Sequence, residues 1–170
     1  MYVSGNTLIG NGNGGDIGLN YIINNKFSLK IGFCATNKLA VAAPTDFLKS
    51  ASSLAPIDNT KSFKNFENFS LLIGRVFLLN SRSKIRFNIQ CGTGITNVRI
   101  PQNYRWTENS IEASAYDYDI NTKKQISFTL NPRIELPIAK VFGFSLGPMY
   151  VHSKNNTYFG AGIGLIYGVL

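Results

Sequence analysis

The chain has 170 residues, a formal charge of +8 and only 15% charged side chains, with 16 glycines, 12 phenylalanines and 8 tyrosines. It holds no run of about 18 apolar residues, which excludes a transmembrane helix but not membrane-crossing strands. Its two cysteines form no CxxC motif and its one histidine cannot build a His-based metal site, so no metal or other cofactor is expected.

The positive charge is scattered. In the long polar segments basic and acidic residues nearly cancel. The excess lies in short turns (Lys26, Arg82, Lys84, Lys140) and inside alternating stretches (Lys30, Arg75, Arg86, Arg133). Without a contiguous basic stripe, nucleic-acid binding is not expected. Met1 to Ser4 has neither a charged leader nor an apolar core, so an exported chain reads as a mature form, an engineered form or one lacking its true start.

In chain order, Met1–Ile9 is a weak strand with poor alternation. The glycine-rich run Gly10–Gly15 superficially resembles a phosphate loop, but Ile17, Leu19, Tyr21 and Ile23 then alternate as a strand where that motif needs a helix. A hairpin turn is the better reading. Asp16–Ile23 is the second strand and Asn24–Lys26 a tight turn. Phe27–Thr36 is the third, with Phe27, Leu29, Ile31, Phe33 and Ala35 on one face. A long segment from Asn37 to Glu67 follows, in which Thr45-Asp46 caps a predicted short helix to Ser53.

Asn68–Asn80 is the fourth strand, and Lys84–Val98 a regular fifth. A second long segment spans Arg99–Lys124; its alternating aromatics predict that the strands on either side continue through it as a protruding ribbon. Gln125–Leu136 and Val141–Val151 are the sixth and seventh strands. The eighth, Thr157–Leu170, alternates Phe159, Ala161, Ile163, Leu165, Tyr167 and Val169 with glycines.

Three features orient the faces. Glycines and long polar residues share one face, where a narrow lumen needs small residues beside Lys30, Arg86, Arg133, Glu135, Asn88 and Gln90. Turns after the second, fourth and sixth strands are short, whereas those after the third and fifth are long. Aromatics on the apolar face gather at two levels, as at two membrane interfaces. A soluble barrel with its apolar face inward would leave the glycines and charges outside.

On the strands Phe69–Val98 and Gln125–Val151 and the terminal TYFGAGIGLIYGVL, the sequence resembles the small outer-membrane β-barrels of the OmpA and OmpX type. The resemblance implies an all-β, eight-stranded antiparallel up-and-down transmembrane barrel over residues 1–170, in a bacterial outer membrane, with short periplasmic turns and two long outer loops. It implies outer-membrane lipid as its surroundings and a monomer. Barrels of this kind usually end on a lipid-facing aromatic, whereas here the last lipid-facing residue is Val169 and the nearest aromatic is Tyr167.

Two groups of residues are candidates for function. In the lumen, Glu135, Arg86 and Arg133 are expected to pair near the short-turn end, with Lys30 and Asp16 as further members. Paired charges of this kind plug a narrow barrel; an open lumen would make it a small passive pore for ions or solutes. Outside, Tyr104, Arg105, Trp106, Tyr116 and Tyr118 form a predicted interaction surface for a surface protein or for lipopolysaccharide, with loop lysines such as Lys61, Lys64, Lys123 and Lys124 near lipid phosphates. A third reading, a lipid-modifying enzyme, rests on His152-Ser153. Adjacent residues on a strand point to opposite faces, so this pair does not favour catalysis. Arg75 breaks the pattern of its strand. A bulge at Gly74 that turns it inward, or a place near the interface, is expected.

Overall fold

The computed structural model describes residues 1–39, 63–80, 85–106, 116–154 and 156–169. Among them are eight strands: β1 (Tyr2–Gly10), β2 (Asn13–Ile23), β3 (Phe27–Leu39), β4 (Phe63–Asn80), β5 (Ile85–Trp106), β6 (Tyr116–Pro137), β7 (Phe142–Ser153) and β8 (Asn156–Gly168). Each pairs antiparallel with the next, and β8 pairs with β1, so the sheet closes on itself. Closure leaves no bare edge within the wall, which a structure surrounded by lipid requires.

The closing seam joins the least regular stretch of sequence to the most regular, yet its register runs unbroken from Tyr2↔Gly168 to Gly10↔Gly160. Alternation is not needed on β1 because β2 and β8 fix its pairing from both sides. The glycine run is mostly strand: Asn13 to Gly15 pair with Ile9, Leu8 and Thr7, leaving Asn11-Gly12 as the turn. At the opposite end, Asn24 and Asn25 have φ of 52° and 54° and Lys26 N donates to Ile23 O at 3.0 Å. Two consecutive positive φ values match a tight hairpin to strand twist, and asparagine tolerates them.

The apolar face is outside. Ile17, Leu19, Ile31, Phe33, Phe69, Leu71, Ile73, Leu146, Phe159, Ile163 and Leu165 are all exposed, while Ser4, Asn20, Lys30, Asn68, Asn88, Gln90, Arg133 and Glu135 are buried inside the closed sheet. In water this arrangement would be inverted; in a bilayer it places hydrocarbon against hydrocarbon and lets buried polar groups satisfy one another. The short-turn end, with the chain termini, is taken as periplasmic and the other as outer.

Of the two places expected for Arg75 the interface is the one found, while the bulge at Gly74 and the extent of the first long segment need correction. No bulge occurs at Gly74, which pairs in register with Ser28 and Gln90. The irregularity on β4 lies instead between Leu78 and Asn80. Arg75 stays on the outer wall opposite Phe27, with its guanidinium 5.9 Å from the Phe27 ring and 5.6 Å from the Phe77 ring. Phe27 follows the Asn24-Asn25 turn directly, so Arg75 is at the periplasmic interface, where a long side chain reaches headgroups at little cost. The first long segment is also shorter than predicted, because β3 and β4 run further outward, whereas β5 and β6 run on as the expected ribbon. The predicted helix Thr45–Ser53 lies outside the described residues.

Candidate functional site

The periplasmic half of the lumen is a polar network centred on Glu135. Arg86 and Glu135 are cross-strand partners, which puts both side chains on the same face at the same level. Arg86 Nε donates to Glu135 Oε2 at 2.5 Å. The Tyr2 hydroxyl donates to Oε1 at 2.6 Å and Asn88 Nδ2 donates to it at 3.1 Å. Arg133 Nη2 lies 3.5 Å from Oε1. Arg86 also stacks over the Tyr2 ring, 5.0 Å from its centroid.

Arg133 carries the network across the lumen. Its Nη1 donates to Ser4 Oγ at 3.2 Å, and its Nη2 to Asn20 Oδ1 at 2.8 Å and to Gln90 Oε1 at 3.0 Å. Ser28 on β3 joins Asn88 and Gln90. The bonds therefore brace β1, β2, β3, β5 and β6 through the interior. Buried charges are tolerated only when paired and hydrogen-bonded in this way.

A second pair sits higher. Lys30 Nζ donates to both Asp16 oxygens at 2.8 Å, and Asn6 Nδ2 donates to Asp16 Oδ2 at 2.8 Å. Ser145 on β7 holds Asn6 through a 2.6 Å bond. Space for the lysine stem comes from glycine. A Cβ at Gly18 would lie 2.2 Å from Lys30 Cε, and one at Gly32 would lie 2.9 Å from it. Above this level Asn68 Oδ1 accepts from Thr96 and Ser127 at 3.0 and 2.6 Å.

Toward the outer end the lumen is apolar. Leu8, Cys34, Phe66, Val98, Met149, Val151 and Tyr158 form one buried cluster, with Ile100 packed against it. Sequence reasoning missed this layer. Its signal is faint: six strands contribute one or two apolar residues each to the face otherwise read as polar. The two free cysteines are far from a pair, Cys34 buried in this cluster and Cys91 exposed on the outer wall.

Beyond the barrel, β5 and β6 continue as a ribbon. Pairing of β5 with β4 ends at Asn65↔Arg99, while β5 pairs with β6 up to Trp106↔Tyr116. The register shifts between Gln102 and Arg105, where Asn103 has φ 57°. Asn103 Nδ2 donates to Asp119 Oδ2 at 3.0 Å, and Arg105 Nη2 lies 3.7 Å from the same oxygen. Tyr104 and Tyr118 pack with ring centroids 5.7 Å apart. Burial, then the adjacent Tyr118, raises the Tyr104 phenol above its ordinary value. Trp106 and Tyr116 are opposed in register; their side chains lie outside the described residues.

His152 does not assemble a nucleophile. Its Nδ1 lies 2.9 Å from the Thr157 hydroxyl and its ring stacks on Tyr150. Ser153 is buried on the opposite face, where its hydroxyl donates to Asn156 O at 2.9 Å. A nucleophile–base pair needs the two side chains within hydrogen-bond reach of each other, and here they diverge.

The closed wall, apolar exterior and cross-braced interior define a small transmembrane β-barrel of the outer-membrane type. Solved structures share this fold. Ail, the attachment invasion locus protein of Yersinia pestis, is 14% identical with a TM-score of 0.54, covering 98% of this chain and 92% of that one. Neisserial surface protein A is 10% identical with a TM-score of 0.56, covering 98% and 95%. The N-terminal barrel domain of Pseudomonas aeruginosa OprF is 11% identical with a TM-score of 0.53, covering 98% and 93%. No family profile and no curated protein sequence matches the chain.

Proposed function

We propose that this protein is a non-enzymatic surface-interaction barrel of the bacterial outer membrane, with a closed lumen, acting through the β5–β6 ribbon. One observation carries the reading. Pairing of β6 with β7 ends at Ser127↔Ser153, so from Asp119 to Lys124 the far edge of β6 has no strand beside it among the described residues. Such an edge presents backbone donors and acceptors in the geometry that adds an extended segment of a partner. Ile120 and Ile126 lie exposed to either side of Lys123 and Lys124, giving two apolar anchors that flank the lysines. The name of Ail, an attachment protein with the same fold, agrees with a surface role.

An array of extended peptides probed with the refolded barrel tests the ribbon. Asn121→Pro and Thr122→Pro are adjacent, so one of them removes an edge donor. That variant is expected to lose binding of extended peptides, while the other withdraws a bond from the β5 ladder and controls for damage to the ribbon itself; equal binding by both variants and the native barrel would remove strand addition as the mode. The lumen is tested separately by planar-bilayer conductance. The expected record is silent, and steady openings would replace the plug with a pore.

A further inference from the structure

The outer mouth of the lumen holds an arrangement that neither the plug nor the ribbon uses. Lys38 on β3 and Lys64 on β4 are direct cross-strand partners on the inward face. Like charges directly opposite each other destabilise a strand pair, yet the wall continues through them to Leu39↔Phe63. Lys64 does not turn away into solvent. It reaches across the mouth to β8, where its Nζ donates to Asn156 Oδ1 at 2.8 Å. Partial burial, then the nearby Lys38, lowers the Lys64 ammonium below its ordinary value.

The crevice between them is also lined by Asn11, Thr36 and Thr157, with no carboxylate among the described residues that line it. The nearest described acid along β4, Glu67, is on the opposite face of the strand, 3.3 Å from Arg99. Lys123, the cross-strand partner of buried Val98, adds a third ammonium to the inner side of the rim. Below, Phe66 and Tyr158 close the lumen with the apolar cluster. The crevice itself has room for about one water, so the mouth offers a rim rather than a cavity: a cationic wall with hydroxyl and amide groups at hand, above a floor no ion would cross.

We propose that this rim binds a phosphate or sulfate group of a soluble or surface-tethered molecule, held at the mouth between Lys38 and Lys64. An oxyanion there replaces ammonium repulsion with charge-assisted hydrogen bonds and offers acceptors to both lysines at once. The face matters for its source. A headgroup of a surrounding lipid meets the outward residues Arg99 and Lys124, whereas Lys38 and Lys64 open inward and upward. The ligand group therefore enters from the aqueous side.

The test uses the whole barrel in phosphatidylcholine nanodiscs, with lysines carrying ¹³C-methyl labels that keep their charge. Inositol hexakisphosphate is titrated at constant ionic strength against chloride. Saturable shifts are expected at Lys38 and Lys64, with at least tenfold weaker binding for Lys38→Gln and for Lys64→Gln and little change for Lys124→Gln. Both lysines are on the rim, and unchanged heat-modifiable gel mobility verifies folding. Equal weakening by Lys124→Gln would mean a diffuse field, and absence of saturation would mean no site; either overturns the proposal. A parallel series without the soluble probe contains phosphatidylglycerol. Lys64-dependent shifts there, with none from the soluble probe, would assign the group to lipid and overturn the aqueous source.

Discussion

The two ends of the lumen are filled by opposite chemistry. At the periplasmic end Glu135 gathers a tyrosine, an asparagine and two arginines. At the outer end seven apolar side chains close the same tube with no ion pair among them. Both fill space, but they fail differently. Removing one member of the polar end leaves buried charges without their partner, whereas removing one member of the apolar end leaves a cavity that neighbours partly fill. On the proposed reading, in which each layer seals the lumen, losing one of them does not open the barrel.

Glu135→Ala is the sharpest way to break this arrangement. It should destabilise the refolded barrel by about 3–5 kcal/mol, the usual effect of stranding a buried charge, read as a shift of the urea unfolding midpoint. Glu135→Gln keeps an acceptor for Tyr2 and should lose clearly less. The Ala variant should still be silent in planar bilayers, because the apolar end is intact. Conductance from this single variant would show that the charged layer alone is the seal.

Leu8→Ala probes the other end. The side chain is fully buried in the apolar cluster, and its loss should cost about 2–3 kcal/mol, low in the range for such truncations because flexible Met149 is close by. Combined with Glu135→Ala, it should give channel openings that neither change gives alone.

The same contrast explains what the sequence revealed. Charges inside strands are rare, so Arg86, Arg133 and Glu135 stood out, and their spacing in a hairpin with a short turn brought them to one level. The wall followed from alternation on seven strands, with closure forcing the eighth. The apolar end was illegible because Leu8, Val98, Val151 and Tyr158 are single apolar residues off the main parity, and Phe66 fell in a stretch read as loop. The ribbon was legible from alternating aromatics, but its bulge was not, since it depends on Asn103 adopting a positive φ. Arg75 was half legible for a related reason: a charge on an apolar face asks for a bulge or an interface, and the choice between them is set by register, which periodicity does not give.

Gly18→Val tests whether the lumen depends on missing side chains as much as on present ones. The new Cβ would overlap the end of Lys30, which is flexible and can shift, but only by leaving Asp16. About 1–2 kcal/mol of destabilisation is expected, the ordinary cost of overpacking. Gly5→Val, where the added Cβ meets nothing within 4 Å, is the matched control on the outer wall and should change the unfolding midpoint little.

The smallest effect concerns the wall itself. The closing seam β1–β8 is continuous, whereas β6–β7 is interrupted between Leu130↔Tyr150 and Ile134↔Leu146. The same register on both sides of the gap sets Pro132 opposite Pro148. Neither proline has an N–H to give, so two neighbouring ladder bonds are lost at one point. Pro148 faces outward, away from the lumen network, which lets the seam be altered alone. Pro148→Val should return one donor to the Pro132 carbonyl and stabilise the barrel by about 1 kcal/mol, with slower hydrogen exchange of amides at 146–150 and no change in conductance. A barrel unchanged in stability would mean that a carbonyl in this seam already has another partner. Faster unfolding would mean that the rigid φ of proline at this position outweighs the bond it withholds.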